Sequence, residues 1–258
     1  MRIAVISDIH ANLPALQEVL AGIDMQKPDL VYCLGDLVNQ NVWNNEVVEI
    51  IRERKIHSVK GNHDEGISSG KKFFPFTYTY DEAKQWGIEA IAYTLEHITD
   101  ENKKFLAALP LHLHITIEQK NEKPFILTFM HGSPLGITDK IFRFMPLSHY
   151  ASMIDMAETD ILLAGNTHTP LHKVITKEEN GRTIYRHLIN PGSVGRSRDG
   201  DWRPSYVIIT LNTTKQLHSD PDAVKVDFYR IKYDLGKAVK AIKNSGLPVY
   251  FGSCLIAG

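Results

Sequence analysis

The chain of 258 residues has only two cysteines, no long hydrophobic run and almost no net charge. Cys33 and Cys254 lie far apart and lack metal-site spacing, which excludes a disulfide-rich scaffold or a cysteine-based zinc site and favours free thiols. The longest apolar runs have the length of strands, so no segment is predicted to span a membrane. A formal net charge of -1 gives no global signal for nucleic acid or an anionic membrane, although a local basic rim is compatible with it.

Composition and the start of the chain favour a cytoplasmic globular protein. Met1 and Arg2 lead directly into the apolar run 3–6, without the apolar segment and cleavage site of a secretory signal. With 43% hydrophobic residues, the chain can bury a full core. It has no internal repeat, low-complexity tract or linker, so we expect a single domain over residues 1–258. The sequence does not indicate an oligomeric state.

Five short polar clusters each follow an apolar run that predicts a strand. The runs are residues 3–6, 30–34, 56–59, 125–130 and 161–164. The clusters are Asp8-Ile9-His10, Gly35-Asp36, Gly61-Asn62-His63-Asp64, His131-Gly132 and Gly165-Asn166-Thr167-His168. Because open α/β sheets place their sites beyond the carboxyl ends of strands, we expect these side chains along one edge of a sheet. Asp, His and Asn ligands suit divalent metals harder than those that thiolates favour.

The remaining pattern predicts further strands and a few helices. Strands are expected at 171–176, 184–189, 206–211 and 224–231. Helical spacing predicts a first helix from residue 13, with Asn12 as its N-cap, and a last helix over about 236–244. Segment 65–110 interrupts the strands and predicts an insertion, with an aromatic loop followed by helices at 82–96 and 100–109.

Taken in order, the five clusters resemble the motif blocks of the calcineurin-like metallophosphoesterases. That family carries Asp-x-His, Gly-Asp, Gly-Asn-His-Asp or Gly-Asn-His-Glu, a separate His, and Gly-His-x-His. The opening 1–20 and the segment 190–195 are similar to the small bacterial and archaeal phosphodiesterase branch. The resemblance implies an α/β fold, namely a four-layer α/β/β/α metallophosphoesterase sandwich with a helical insertion and a dimetal centre between its sheets.

The resemblance also implies a ligand set for two divalent ions, with Mn²⁺ favoured and Fe, Ni, Mg or Zn as alternatives. The first ion would be held by Asp8, His10, Asp36 and His168, and the second by the bridging Asp36 together with Asn62, His131 and Asn166. Asn166 stands where relatives have His. Either its amide oxygen coordinates, or it points away and water completes the shell. In both cases the second ion is expected to be the looser one.

The activity implied is hydrolysis of a phosphodiester, in a small molecule or nucleotide, by a metal-bridging hydroxide. Asp36 would fix the ions, and His63 is the candidate general acid for the departing oxygen or, alternatively, a phosphate-binding donor. Asp64 would orient His63. The alternative activities are a phosphomonoesterase or nucleotide phosphatase. A catalytically weak metal-binding scaffold is the rival class, because the last block departs from the pattern at Asn166.

The expected partner is a phosphorylated small molecule, and its predicted contacts are Asn12, Arg196 and Arg198. Guanidinium groups suit bidentate phosphate contacts, but together with Arg203 they could equally form a solvated rim. The loop 190–195 either turns its backbone amides towards an anion or forms a tight connection. The insertion supplies an aromatic set that either caps the cleft or packs the added helices: Phe73, Phe74, Phe76, Tyr78, Tyr80 and Trp86.

Overall fold

The computed structural model describes residues 1–71, 81–120 and 122–258. Its strands are β1 (Arg2–Ile6), β2 (Leu30–Cys33), β3 (His57–Ser58), β4 (His112–Ile117), β5 (Phe125–Met130), β6 (Ile161–Ala164), β7 (Leu171–Glu179), β8 (Arg182–Asn190), β9 (Ser205–Leu211) and β10 (Val224–Arg230). Its helices are α1 (Leu13–Gln26), α2 (Asn44–Glu53), α3 (Asn62–Ser68), α4 (Asp81–His97), α5 (Asp100–Ala108), α6 (Leu147–Met156), α7 (Leu235–Lys243) and α8 (Tyr250–Ala257).

The strands form two five-stranded sheets that pack face to face. The first sheet has the order β10-β9-β1-β2-β3 and the second β4-β5-β6-β8-β7. Neighbours β1, β2 and β3 are parallel, as are β5, β6 and β8. Three apolar layers follow: helices α1, α2, α7 and α8 pack on the first sheet, the inner faces meet each other, and α6 covers the second sheet. The predicted four-layer α/β/β/α sandwich is confirmed.

From residue 3 to residue 6, the sequence of strand β1 is apolar without interruption because both of its faces are buried. Successive side chains of a strand point to opposite faces, and both faces of this strand are covered. Ile3 and Val5 lie between the two sheets, whereas Ala4 and Ile6 face the helical layer. All four are fully buried. The strand is therefore anchored on both sides, and this fixes where the polar residues after it emerge.

The described part of the chain has four helices beyond the expected set. Helices α1, α4 and α5 lie where they were predicted, and Asn12 caps α1 by accepting the backbone N–H of Ala15. Helix α7 was expected to be the last one, but α8 follows it and packs against it. Helices α2, α3 and α6 were not predicted, because α3 starts inside a polar motif block and the other two carry interrupted apolar patterns.

The insertion is described only in part. The aromatic residues from Phe73 to Tyr80 lie outside the described residues, so the expectation for them stays a prediction. Trp86 lies on α4, where its ring stacks on Tyr250 at 4.3 Å between centroids and packs on the helical core. The packing interpretation therefore holds for Trp86. Among the described residues no helix is both long and apolar enough to cross a membrane. Cys33 and Cys254 are free thiols, as expected.

Candidate metal centre

The five polar clusters converge from both sheets, not from one sheet edge as the sequence predicted. Loops after β1, β2 and β3 come from the first sheet, and loops after β5 and β6 come from the second. Backbone hydrogen bonds join them, from Asp8 N–H to Gly35 O at 3.0 Å and from Gly165 N–H to His131 O at 2.8 Å. Each cluster follows the carboxyl end of its strand, so the site lies between two packed sheets.

The backbone at these loops is unusual. Five cluster residues have a positive φ, between 46° and 66°, which L-residues other than glycine rarely adopt: Asp8, His10, Asp36, Asn166 and His168. Such conformations persist only where the surrounding structure holds them, and they concentrate at functional sites. Gly61 shows how tight the surroundings are, because a Cβ there would collide with the carboxylate and backbone of Asp36.

His168 and Asp8 form the first half of the site. His168 Nδ1 donates to Arg196 O at 2.6 Å, so in the neutral ring Nε2 carries a lone pair. That lone pair faces Asp8 Oδ1 at 3.2 Å and His10 Nε2 at 3.1 Å. Asp8 Oδ1 is buried without a hydrogen-bond donor. Although burial opposes it, His168 and His131 lower the pKa of Asp8 to about 2. A cation at this point would satisfy all three groups.

His131 repeats the arrangement in the second half. Its Nδ1 donates to Leu34 O at 2.8 Å, and its Nε2 faces Asn62 Oδ1 at 2.8 Å and Asp36 Oδ2 at 3.4 Å. Although burial opposes it, the Asp36 carboxylate raises the pKa of His131 to about 9. The surroundings thus favour a positive charge between His131 and Asp36, which a divalent ion would provide in place of a proton.

Asp36 lies within reach of both halves. Its Oδ2 is 3.6 Å from His10 Nε2 and 3.4 Å from His131 Nε2. Three groups each have ligand atoms within 4.8 Å of one another: Asp8 with His10 and His168, His10 with Asp36 and His63, and Asp8 with Asp36 and His131. Imidazoles whose second nitrogen donates to a backbone carbonyl, beside ionised carboxylates, are typical of protein metal ligands. The donor set therefore fits divalent cations.

His63 is oriented by the loop after β2. Gln40 N–H donates to Asn39 Oδ1 at 2.8 Å, so the Asn39 amide nitrogen faces His63 Nδ1 and donates to it at 2.9 Å. His63 Nε2 lies 3.9 Å from Asp36 Oδ2 and 3.3 Å from the amide nitrogen of Gln40, so amide nitrogens face both ring nitrogens. Burial, reinforced by the charges of His131 and His168, lowers the pKa of His63 to about 4. His63 thus presents Nε2 near the carboxylate expected to bridge the ions.

A cleft of about 390 Å³ opens over these residues. Its floor includes Asp36, Asn62, His63 and His168, and its walls include residues of α4, of α8 and of the loops after β5 and β8: Ala83, Gly87, Ala90, Thr138, Lys140, Arg196, Arg198, Tyr250 and Phe251. The small residues of α4 recur at helical spacing and face the cleft, which leaves room above the floor. Arg203 does not line it and pairs with Asp201.

Comparison with known proteins decides the family. The model of the calcineurin-like phosphoesterase superfamily domain matches residues 1–214. The chain belongs to the calcineurin-like phosphoesterase superfamily. An uncharacterised protein of Methanocaldococcus jannaschii is 33% identical over 266 residues, which cover 99% of this chain and 98% of that protein.

Two solved structures share the metallophosphoesterase fold along the whole chain. A metallophosphoesterase from Sphaerobacter thermophilus is 30% identical with a TM-score of 0.72, covering 100% of this chain and 98% of its own. A hypothetical protein from Pyrococcus horikoshii OT3 has a TM-score of 0.76 at 22% identity, over 98% of this chain and 97% of its own, and shows the fold alone. The resemblance is confirmed, and the chain is a metallophosphoesterase, a class of hydrolases.

The loop 190–195 has the tight-connection role in this metallophosphoesterase, not the anion-facing one. Gly195 N–H and the Ser193 hydroxyl both donate to Asp8 O, at 2.9 and 2.7 Å. A Cβ on Gly195 would collide with Ile9 O. Asn12 belongs to the same assembly, because its amide nitrogen donates to Gly195 O at 2.9 Å while its oxygen caps α1. Asn12 is fully buried and positions the Asp8 loop, which corrects its predicted contact with substrate.

Asp64 also has a role other than the expected one. One of its oxygens accepts the backbone N–H groups of Asp36 and Gly61, and the other accepts that of Leu37, each at 2.8 Å. Burial and the Asp36 charge raise the pKa of Asp64, while these donors oppose the shift. Asp64 thus fixes the loop that carries Asp36, and Asn39 is the residue that orients His63. That corrects the prediction for Asp64.

The side-chain amide nitrogen of Asn166 is held by two backbone carbonyl groups. Its Nδ2 donates to Asp139 O at 3.0 Å and to Ile137 O at 3.4 Å, while the residue lines the cleft. The amide nitrogen therefore faces the loop after β5, and coordination would fall to Oδ1. Asn39, Gln40 and Lys140 also line the cleft and were not predicted from the sequence. For the first two, the available signal was the polar run Asn39-Gln40-Asn41, which follows the Gly-Asp block after two intervening residues.

Proposed function

We propose that the protein is a metal-dependent phosphoric ester hydrolase that cleaves a phosphodiester in a small phosphorylated molecule or nucleotide. Two divalent ions, with Mn²⁺ favoured, would be held by Asp8, His10, Asp36, Asn62, His131 and His168. The observation that carries the proposal is the pair of imidazoles whose tautomers are fixed by backbone carbonyls. Nε2 of His168 faces the Asp8 carboxylate and Nε2 of His131 faces the Asp36 carboxylate, in a buried position at the floor of an open cleft.

When bound, the ions would supply an acidified water and positive charge for the phosphoryl oxygens. The protein's own groups then have separate tasks. Asp36 would hold the two ions at a fixed separation, because its Oδ2 reaches His10 and His131, one in each half. To act as the general acid, His63 would be in its imidazolium form, would pass its Nε2 proton to the departing oxygen and would be left as the neutral ring.

The preference for a diester rests on the resemblance to the small phosphodiesterase branch and on the space in the cleft. The cleft extends beyond the ligand residues towards Gly87 of α4 and Tyr250 of α8. A second ester group of the substrate could lie there without displacing a ligand side chain. A phosphomonoester would leave this part of the cleft empty.

The test is an assay of metal-stripped protein reloaded with Mn²⁺, Ni²⁺, Mg²⁺, Zn²⁺ or Fe²⁺. We expect turnover only with metal, and a higher kcat/KM for bis(p-nitrophenyl) phosphate than for p-nitrophenyl phosphate. The variant His168→Gln should lose metal and activity, whereas His112→Gln, which removes an exposed histidine of β4, should lose neither. Faster monoester hydrolysis would establish the phosphatase alternative. Two bound ions without turnover on either ester would establish the weak scaffold.

A further inference from the structure

The cleft carries three basic side chains without an acidic partner. Lys140, Arg196 and Arg198 line it, and within the described ranges no carboxylate lies within ion-pair distance of any of them. Residues 72–80 and Asn121 contain no Asp or Glu, so they offer none either. Nearby Arg203 and Arg230, in contrast, pair with Asp201 and Asp199. Carboxylates therefore offset the charges of the two arginines beside the cleft, whereas among the described residues none offsets the charges of the three basic side chains inside it.

Arg196 is held in place by neutral groups. Its Nη1 donates to Gln40 Oε1 at 2.7 Å, and its Nη2 donates to Cys254 Sγ at 2.9 Å. Its guanidinium also lies 5.7 Å from the ring centre of Tyr250 and 5.9 Å from that of Phe251. These contacts fix the orientation of the guanidinium while leaving its charge intact. A rigid, uncompensated guanidinium is suited to bind an anion.

The three cations also act on one another. Burial and then the charge of Arg198 lower the pKa of Lys140, and burial and then the charge of Arg196 lower that of Arg198. Like charges that line one cleft repel, and a bound anion would relieve that repulsion. The proposed ions would already bind the scissile phosphate, because two divalent cations carry more positive charge than the carboxylates of Asp8 and Asp36 neutralise. The three protein cations are therefore available to a different negative group.

We propose that the natural substrate carries a second phosphate, in addition to the ester that is cleaved, and that this phosphate binds among Lys140, Arg196 and Arg198. The inference rests on the proposed function and narrows it to a substrate class: phosphodiesters that also bear a phosphomonoester or an equivalent dianion. The second phosphate would account for a cleft that is basic in a chain whose formal net charge is -1.

The test measures binding by calorimetry to the metal-loaded protein, so it does not depend on turnover. The probes are bisphosphonates whose two phosphonates are joined by two to six methylene groups, each compared with the alkylphosphonate of the same length. The series covers a range of separations between the ions and the basic side chains. We expect the bisphosphonate of one spacer length to bind ~10-fold to 100-fold tighter than its matched monophosphonate. This is the gain in affinity that hydrogen bonds to charged groups typically provide.

The variants Lys140→Gln and Arg198→Gln should remove most of that advantage while the monophosphonate keeps its affinity. Lys123→Gln, at the opposite end of β5 from the site, should keep the whole advantage and serves as the matched control. The metal content of each sample is measured after titration, because bisphosphonates also chelate free ions. If no spacer length binds tighter than its monophosphonate, or if Arg198→Gln weakens both probes equally, the cations serve the scissile phosphate and the inference is overturned. If the diester assay fails while the advantage persists, the proposed function is wrong and the second-phosphate site stands.

Discussion

The two halves of the proposed metal centre share Asp36 but differ in their other donors. The first half adds the Asp8 carboxylate to two imidazoles, those of His10 and His168. The second half adds only neutral groups, the imidazole of His131 and the amide of Asn62. Because a carboxylate attracts a divalent cation more strongly than an amide does, the first half should bind its ion more tightly. The two halves are therefore expected to bind metal unequally although they share one carboxylate.

Each half nevertheless takes ligands from both sheets. Asp8 and His10 follow β1 of the first sheet, while His168 follows β6 of the second. Asn62 follows β3 of the first sheet, and His131 follows β5 of the second. Bound ions would therefore tie the two sheets together at this end of the sandwich, and the loss of either ion should loosen the junction between them.

The largest expected effect comes from the residue that both halves share. Asp36→Asn keeps the side-chain size but removes the charge between the two ions, so metal content should fall at both positions. The turnover rate should drop by about 10³-fold or more, since several kcal/mol of transition-state charge stabilisation would be lost. Metal analysis and kcat measurements check this, with Asp227→Asn on the edge strand β10 as the control. Near-native hydrolysis by metal-loaded Asp36→Asn would contradict the shared-ligand proposal.

Most of the residues that the structure brings together at the candidate site could be predicted from the sequence, because each follows a strand within a short motif. Asp8 and His10 behind β1 illustrate this, since strand direction alone sets where they emerge. The convergence of two sheets on one site could not be derived from local pattern, because it depends on contacts between residues distant in sequence, such as Asn190 and Gly165. The family resemblance, not periodicity, supplied that part.

The residues that orient the site were harder to predict for a physical reason. Asn12 and Asp64 are residue types that are common in functional sites, yet their side chains hydrogen-bond mainly to backbone groups. Lys140 carries the reverse lesson, because it looks like a surface charge in the sequence and lines the cleft in the structure. Only tertiary contacts distinguish these cases, as local sequence cannot show which backbone donors are left for a side chain to satisfy.

A smaller and more selective effect is expected at His63, which contacts the shared ligand but belongs to neither half. His63→Ala should keep both ions, because the proposed ligands remain. The rate should fall by about 10² to 10⁴-fold on alkyl esters, whose departing oxygen needs a proton, and less on nitrophenyl esters. The kcat ratio between the two ester types measures this difference. An equal loss on both would assign His63 to phosphate binding rather than to the departing oxygen.

The smallest expected effect, and the sharpest test of the unequal halves, lies at Asn166. A histidine there could donate Nδ1–H to Asp139 O, as Asn166 Nδ2 now does at 3.0 Å, and present Nε2 to the second ion in the manner of His131. Asn166→His should therefore tighten the second site by about tenfold, taking the known effect of residues around a metal site as a guide, and should leave the first unchanged. Calorimetric metal titration of the native protein, Asn166→His and Asn166→Ala checks this. If the histidine variant binds its second ion no tighter, Asn166 is not at the ligand position. If the alanine variant matches the native protein, the amide oxygen does not coordinate, and the second half is left with only His131 and Asn62 besides the shared Asp36.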